Sequence, residues 1–388
     1  MVSGHPRREQ SVLSYYTRLP LTTSLDHIPV APFLRRQLSE CTDRQSERFA
    51  WEDKYADYWK VCDEMIVRRT STTDADIAVL PYDWYWNRGP HWLPNRDRAI
   101  ADAVATVNGE VYEEAQRAGI QSLLFFSGDR SHEPTPFSDA ITLREGMYAS
   151  RAGPRDFCMP AFSEDIAAQT PDDVPGERVG AVTLRPREEV PIVGFCGLAP
   201  SPRMRDRVGD LAYHAYMLVS RRRLDVSPHE GERLRHRALA VLSRGRAVST
   251  NFIIRDSSIF FGGSKSSRIQ VRRDYVANMV ESDYILCARG SGNYSLRLYE
   301  TLSMGRTPVV IDTDCRFPLD FHLDWSNHCV FVDRSDLDSI GDAVRRHHES
   351  RSPSDHRERQ LAARQFWEQY LSPRGFFEHL GLHLGTAA

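Results

Sequence analysis

The residue types best suited to chemistry lie in one run, Ser282-Asp-Tyr-Ile-Leu-Cys-Ala-Arg-Gly-Ser-Gly-Asn-Tyr-Ser-Leu-Arg-Leu-Tyr-Glu-Thr-Leu-Ser-Met-Gly-Arg-Thr-Pro-Val-Val-Ile311. Tyr284 to Cys287 reads as an apolar strand, Arg289, Gly290, Gly292 and Ser295 as the loop after it, and Leu296 to Met304 as a helix. In a parallel α/β sheet such a loop lies at the carboxyl end of its strand. There the next helix presents unpaired N–H groups and the positive end of its dipole. Phosphate is the ligand this arrangement suits. Glycine lets the backbone approach closely, Ser295 supplies a hydroxyl, and Arg289 and Arg297 can meet a diphosphate with paired hydrogen bonds. Glu300 lies about one turn beyond Arg297, where a carboxylate can accept from both hydroxyls of a ribose. The same run also fits an ordinary strand-to-helix turn with an Arg/Glu ion pair on the helix. It holds neither GxGxxG nor GxxxxGK[ST], so it lends nothing to dinucleotide-dependent oxidoreductases or P-loop NTPases.

Positioning such a loop requires alternating strands and helices, and the chain carries two such series. In the first, Ser46 to Arg69 has helical spacing, Asp74 to Leu80 is a short apolar strand, Asn95 to Ala118 is helical, and Gln121 to Phe126 is a second strand. Asp156 to Pro160 is a candidate third. Gln169 to Pro191, rich in Pro, Gly and acid, reads as the connection between domains. The second series runs from the strand Ile192 to Gly197 through helical segments in Val208 to Leu242, a strand at Val248 to Ile254, a helix at Tyr275 to Ser282, and the run above. Ser352 and Pro353 mark a helix start, with Leu361, Phe366, Trp367 and Tyr370 on its apolar face.

The chain has 388 residues, 41% hydrophobic and 27% charged, which excludes disordered and fibrous classes and suits two domains. A net charge of −3 sets up no general field toward nucleic acid or an anionic membrane. Only Lys54, Lys60 and Lys265 are lysines, so 47 of the 50 basic residues are arginine, and composition alone accounts for most of them. The seven cysteines are scattered without metal-ligand spacing and read as reduced, buried side chains. The polar first ten residues lack the apolar core of a signal peptide, and no stretch reaches transmembrane length. The expectation is a cytoplasmic protein with a frayed start and no transmembrane segment.

With its CxRGxGxxSxRxxExLxxGxxPVVI core, followed by Phe317-Pro318 and Leu323-Asp324-Trp325, the stretch from Ser282 to Trp325 resembles the exostosin family of glycosyltransferases. The resemblance implies an α/β fold of the GT-B class: two Rossmann-like domains facing a cleft, with a C-terminal helix crossing back to the N-terminal domain. The domains would be an acceptor-binding 1–185, a nucleotide-sugar-binding 186–352 and the bracing helix in 353–388. It further implies inverting transfer of a sugar from a UDP-sugar, with no cofactor or metal required. Arg289 and Gly290 would lie by the nucleotide, Ser295 and Arg297, with Leu296 between them, by the diphosphate, and Glu300 on the ribose.

An inverting displacement needs a base for the acceptor hydroxyl. Asp129, His132 and Glu133, in the loop after the strand Gln121 to Phe126, are the favoured group, and Asp83 stands behind them. Each is also an ordinary turn or cap residue. Tyr82, Trp84, Tyr85, Trp86 and Trp92 could stack on sugar faces or pack onto the core. Asp312-Thr-Asp314 looks like a metal-binding DxD, although no third ligand is apparent. His347 and His348, and the arginines Arg221, Arg222, Arg223, Arg233, Arg235 and Arg237, read as solvated helix faces. The acceptor would be a glycan, a lipid-linked sugar or a small molecule, and modified nucleic acid is the less favoured class. The alternative function is a nucleotide-sugar-binding subunit without catalysis.

Overall fold

The computed structural model describes residues 13–18, 65–85, 97–161, 163–171, 174–200, 229–256 and 265–386, with single positions at 61, 208, 209, 211, 212, 215 and 219. The chain divides into two compact units: Met1–Glu145, Ala152–Met159 and Pro373–Ala388 make the first, Gly146–Arg151 and Pro160–Ser372 the second. Each contains a parallel sheet.

The first unit's strands are β1 (Leu13–Tyr16), β2 (Ile66–Arg69), β3 (Ile77–Val79), β4 (Gln121–Phe126), β5 (Ile141–Arg144) and β6 (Asp156–Cys158), in the order β2-β1-β3-β4-β5-β6. Helix α1 (Asp97–Ala118) connects β3 to β4. Its buried stripe is Val104, Asn108, Val111 and Ala115, a spacing that keeps one face on the sheet. Asn108 is tolerated there because its amide accepts from Tyr82 N at 3.0 Å and donates to Tyr82 O at 2.9 Å. Ile66 to Arg69 is a strand, not the end of a helix, and the residues before Cys62 that carried the helical spacing lie outside those described.

The second unit opens with the hairpin β7 (Arg178–Val179) and β8 (Val182–Thr183). Its sheet consists of β9 (Ile192–Leu198), β10 (Ser249–Arg255), β11 (Tyr284–Cys287), β12 (Thr307–Asp312) and β13 (Val330–Asp333), in the order β10-β9-β11-β12-β13. Its helices are α2 (Glu230–Arg244), α3 (Lys265–Val280), α4 (Leu296–Ser303), α5 (Ile340–Glu349) and α6 (Pro353–Phe366). Period-two alternation divides the strand side chains between two cores. Tyr284, Leu286, Val309 and Ile311 pack with Ala238 and Leu239 of α2 and Ile340 and Val344 of α5. Ile285, Cys287 and Val310 pack with Val276 of α3, Leu298 and Leu302 of α4, and Phe366 of α6. A sheet buried on both faces has uniformly apolar strands, and that is why β11 and β12 were legible.

Two expected boundaries move. The stretch Gln169 to Pro191 is part of the second unit, not a linker: Thr183 O accepts from Arg306 at 2.8 Å, and the Arg185 backbone N–H donates to Gln360 at 2.9 Å. The segment 353–388 divides after Ser372. Its first helix starts on the expected Ser352 cap, a capping box completed by Asp355, and packs Ala363 and Phe366 into the second unit, while α7 (Pro373–Glu378) and α8 (Leu380–Thr386) belong to the first. No helix among the described residues is long and apolar enough to cross a membrane.

Candidate functional site

In both sheets the chain lays down its first strand inside, the second on one side and the third on the other, and the second sheet has helices on both faces. In such sheets the connections after the first and third strands leave in opposite directions, and the crevice opened at their carboxyl ends is where ligands bind. In the second unit that place lies beyond β9 and β11, and the loop singled out from sequence, Arg289 to Ser295, starts there.

Ser295 is the N-cap of α4, but its hydroxyl makes no capping bond, so the first N–H groups of the helix are not closed off by it. In the same first turn Arg297 donates to Cys196 O at 2.8 Å and lies over the Phe195 ring, 4.4 Å from its centroid. Its Nε is buried without a partner. Gly197 has φ +156°, and a Cβ there would stand 2.7 Å from the same guanidinium. Burial pulls the Arg297 pKa down, but Tyr275, Cys287 and Glu300 outweigh it and leave the group more basic than usual. Glu300 accepts a hydrogen bond from the Tyr275 hydroxyl on one oxygen, and Arg272 stands 3.9 Å from the other. Burial first, and the Glu300 charge second, push the Tyr275 hydroxyl well above its ordinary value, so it remains a donor.

Arg289 has a different employment from the one expected of it. It is buried, and its guanidinium donates to the Tyr148 hydroxyl at 2.8 Å and to Ser291 O at 2.8 Å, which holds its own loop in shape. Gly290 leaves open space above the backbone. Asn293, which the sequence did not single out, is 1% exposed. Its amide donates to Met147 O at 3.1 Å and Thr313 O at 3.2 Å and accepts from the Thr313 hydroxyl at 2.7 Å, joining three segments behind the loop. A shallow pocket opens between the ends of β11 and β12, lined among others by Arg289, Tyr294, Ser295, Tyr299 and Phe317. Leu296 is half-buried at the first position of α4.

Arg235 is not on a solvated face. It is half-buried, its Nε donates to Gly231 O at 3.0 Å, and its pKa is pushed down to about 10 by burial first and the Arg297 charge second. Arg233 is also half-buried and Arg237 is exposed; Arg221, Arg222 and Arg223 lie outside the described residues.

In the first unit, all four candidate bases lie on loops at the carboxyl ends of β3 and β4. Asp83 is buried and accepts from Tyr85 N at 2.9 Å and from Ser127 N at 3.1 Å, so it ties the two loops together. Asp129 is exposed, and His132 and Glu133 are half-buried. Two side chains that the sequence reading missed fix this loop: Arg144 donates to Ser131 O at 2.6 Å and Glu133 O at 2.7 Å, and Glu145 accepts from Gly128 N at 2.6 Å. Their signal was the end of β5, whose Ile-Thr-Leu-Arg sequence is not a continuous apolar run.

Tyr82 and Trp84 are core residues, 2% and 4% exposed, and Trp84 packs edge-on to Phe137; this removes them from sugar stacking. Tyr85 lies beside Arg130, while Trp86 and Trp92 are outside the described residues. Asp312 and Asp314 serve the backbone: Asp312 accepts from Asp314 N at 2.9 Å, and Asp314 holds Ser150 N at 3.2 Å. His348 is 1% exposed and its Nε2 donates to Glu188 O at 2.8 Å, and His347 is half-buried against Tyr284, which corrects the expectation of solvated histidines. Cys158, Cys196, Cys287, Cys315 and Cys329 are free thiols.

No protein-family model matches the sequence, and no curated protein matches it. Among solved structures, that of TarM, a glycosyltransferase, shares 14% identity over 68% of this chain and 54% of its own, with a TM-score of 0.30. The chain therefore spans about half the length of that structure (54%), and a likeness of this size carries no argument about fold, donor or acceptor. The exostosin resemblance rests on the run from Ser282 to Trp325.

Proposed function

We propose that the protein is an inverting glycosyltransferase of the GT-B class that moves a sugar from a UDP-sugar to a hydroxyl of a glycan, lipid-linked or small-molecule acceptor. The observation that carries this reading is Arg297 at the switch point of the second sheet, with a buried Nε that has no partner, one residue inside the uncapped start of α4. A diphosphate is the ligand that satisfies both. In the reaction, the bond between the anomeric carbon and the diphosphate breaks, and negative charge grows on the departing phosphate. The guanidinium and the helix N–H groups meet that charge without having to reorganise. They take the part a divalent cation plays in other transferases. The nucleoside occupies the pocket beside Tyr294 and Phe317, Glu300 accepts from the ribose on the oxygen facing Arg272, and Arg289 keeps the loop in shape.

The acceptor binds to the first unit, and its hydroxyl proton passes to the Asp129, His132 and Glu133 loop. Asp129 is the first choice because it is exposed, whereas Asp83 is occupied by backbone N–H groups. That occupation also favours a second reading, a nucleotide-sugar-binding subunit without transfer. The test is release of UDP and formation of product from a panel of UDP-sugars, alongside a thermal-shift screen. A ligand at about 100 times its Kd stabilises by roughly 2.7 kcal/mol. Stabilisation by UDP without turnover supports the binding subunit, and no response to any uridine nucleotide overturns both.

A further inference from the structure

We infer that Arg235, on α2, is the second arm of the anion site, so that Arg235 and Arg297 together bridge the two phosphates of a diphosphate. The inference rests on the donor-site reading above and adds a residue to it from the opposite face of the sheet.

The geometry begins with Gly231 in the first turn of α2. A Cβ on that residue would stand 2.4 Å from Gly290 O and 2.6 Å from Arg289 O, so only glycine lets α2 start directly against the ligand loop. Arg235, one turn later, folds back along the helix to Gly231 O, 3.0 Å from its Nε. Its guanidinium is thereby held at the end of α2 that touches the Arg289–Gly290 loop. Arg297 leaves the far end of that loop and reaches Cys196 O at the end of β9. Two guanidiniums from helices on opposite faces of the sheet therefore converge on one edge.

Neither is held in an ion pair among the described residues, although Glu300 acts on Arg297 and Glu232 on Arg235 through space. The nearby acids are engaged elsewhere or act only through space: Glu300 receives the Tyr275 hydroxyl, Glu230 pairs with Arg334 at 2.6 Å, and Glu232 makes no contact with Arg235 that counts as a pair. Among the described residues the one hydrogen bond of Arg235 is from its Nε, and the Nε of Arg297 is buried without a partner. Burial and the neighbouring Arg297 charge both disfavour the charged form of Arg235, and an anion bound between the two guanidiniums relieves that cost. One phosphate can engage one planar fork; two linked phosphates engage two. The ligand class that fits is a diphosphate in preference to a monophosphate.

The test is calorimetric titration of UDP, UMP and inorganic pyrophosphate into the full chain and into Arg235→Gln, Arg235→Lys and Arg297→Gln. The wild type is expected to bind UDP at least about 30-fold more tightly than UMP, since a charge-assisted pair contributes about 2 kcal/mol. Arg235→Gln should weaken UDP and pyrophosphate tenfold or more and change UMP less than threefold, and Arg235→Lys should restore part of the loss. Equal weakening of UDP and UMP, or no weakening of pyrophosphate, overturns the inference. If Arg235→Gln does not fold, Arg235→Lys and the salt dependence of pyrophosphate binding to the wild type decide: a Lys variant that binds like wild type with no salt slope overturns it. Pyrophosphate binding that depends on Arg235, without any uridine nucleotide binding, leaves the arginine pair standing and removes the UDP-sugar reading. UDP binding indifferent to Arg235 does the reverse.

Discussion

Arg297 reaches from the first turn of α4 to the carbonyl oxygen of Cys196, 2.8 Å from one of its terminal nitrogens, and joins the helix after β11 to the end of β9. The contact holds a cation at the switch point of the sheet, with its Nε buried and without a hydrogen-bond partner.

Arg297→Lys should therefore weaken UDP by about 2 kcal/mol, roughly 30-fold in Kd, because a lysine keeps the charge but cannot bond Cys196 and an anion in the same fork. Titration calorimetry measures this. An unchanged Kd places the nucleotide elsewhere.

Tyr275→Phe removes the hydroxyl that donates to Glu300. A hydrogen bond to a charged group contributes about 1.5–3 kcal/mol, so the urea midpoint should fall accordingly. The freed carboxylate also loses its orientation, and discrimination between UDP and 2′,3′-dideoxy-UDP should narrow. Stability lost with discrimination intact would mean that Glu300 does not meet the ribose.

Asp83 and Asp129 should separate stability from turnover. Asp83→Ala leaves the Tyr85 and Ser127 N–H groups without their acceptor and should cost about 1–3 kcal/mol in unfolding free energy. Asp129→Ala touches an exposed side chain, so it should cost less stability than Asp83→Ala and lower kcat at least a hundredfold if it is the base. Full activity in Asp129→Ala moves the base to His132 or Glu133.

Acid should destabilise the second unit in a window set by histidine. Burial, then Arg359 and Arg351, hold the His347 pKa down to about 3, and burial lowers that of His356 as well. A depressed histidine is neutral in the fold and charged in the unfolded chain, so the unfolded state binds the extra proton and stability falls as pH drops from about 6.5 toward 3. The carboxylates with lowered values, Asp274, Asp324, Asp333 and Asp355, lose their contribution only below their ordinary value of 3.8. Urea unfolding at pH 7, 5.5 and 4.5 should show the decline, and His347→Gln should flatten it. A slope unchanged by His347→Gln would place the titrating group elsewhere.

The second sheet was the more legible of the two because strands covered on both faces are continuous apolar runs, and Tyr284 to Cys287 and Pro308 to Ile311 show as such. β1, β5 and β13 are as short as β11, but Leu-Ser-Tyr-Tyr, Ile-Thr-Leu-Arg and Val-Phe-Val-Asp each include a polar residue that breaks the apolar run, so they did not stand out from loops. Histidine 348 was misread because a charged helix looks solvated from one residue to the next, although its third and fourth neighbours, not its adjacent ones, share its face.

The sequence by itself determined the alternation of strands and helices, the position of the loop from Arg289 to Ser295 at the end of a strand, and the supply of arginine around it. These are local properties, set by hydrophobic period and glycine placement. Only the tertiary structure decided which arginines are available. Arg289 is engaged by Tyr148, 141 positions away, and Arg235 meets the site from a helix that begins 66 positions before α4 because Gly231 lets that helix close on the loop. Hydrogen-bond partners and like-charge neighbours are set by the packing of distant segments, and no spacing along the chain encodes them.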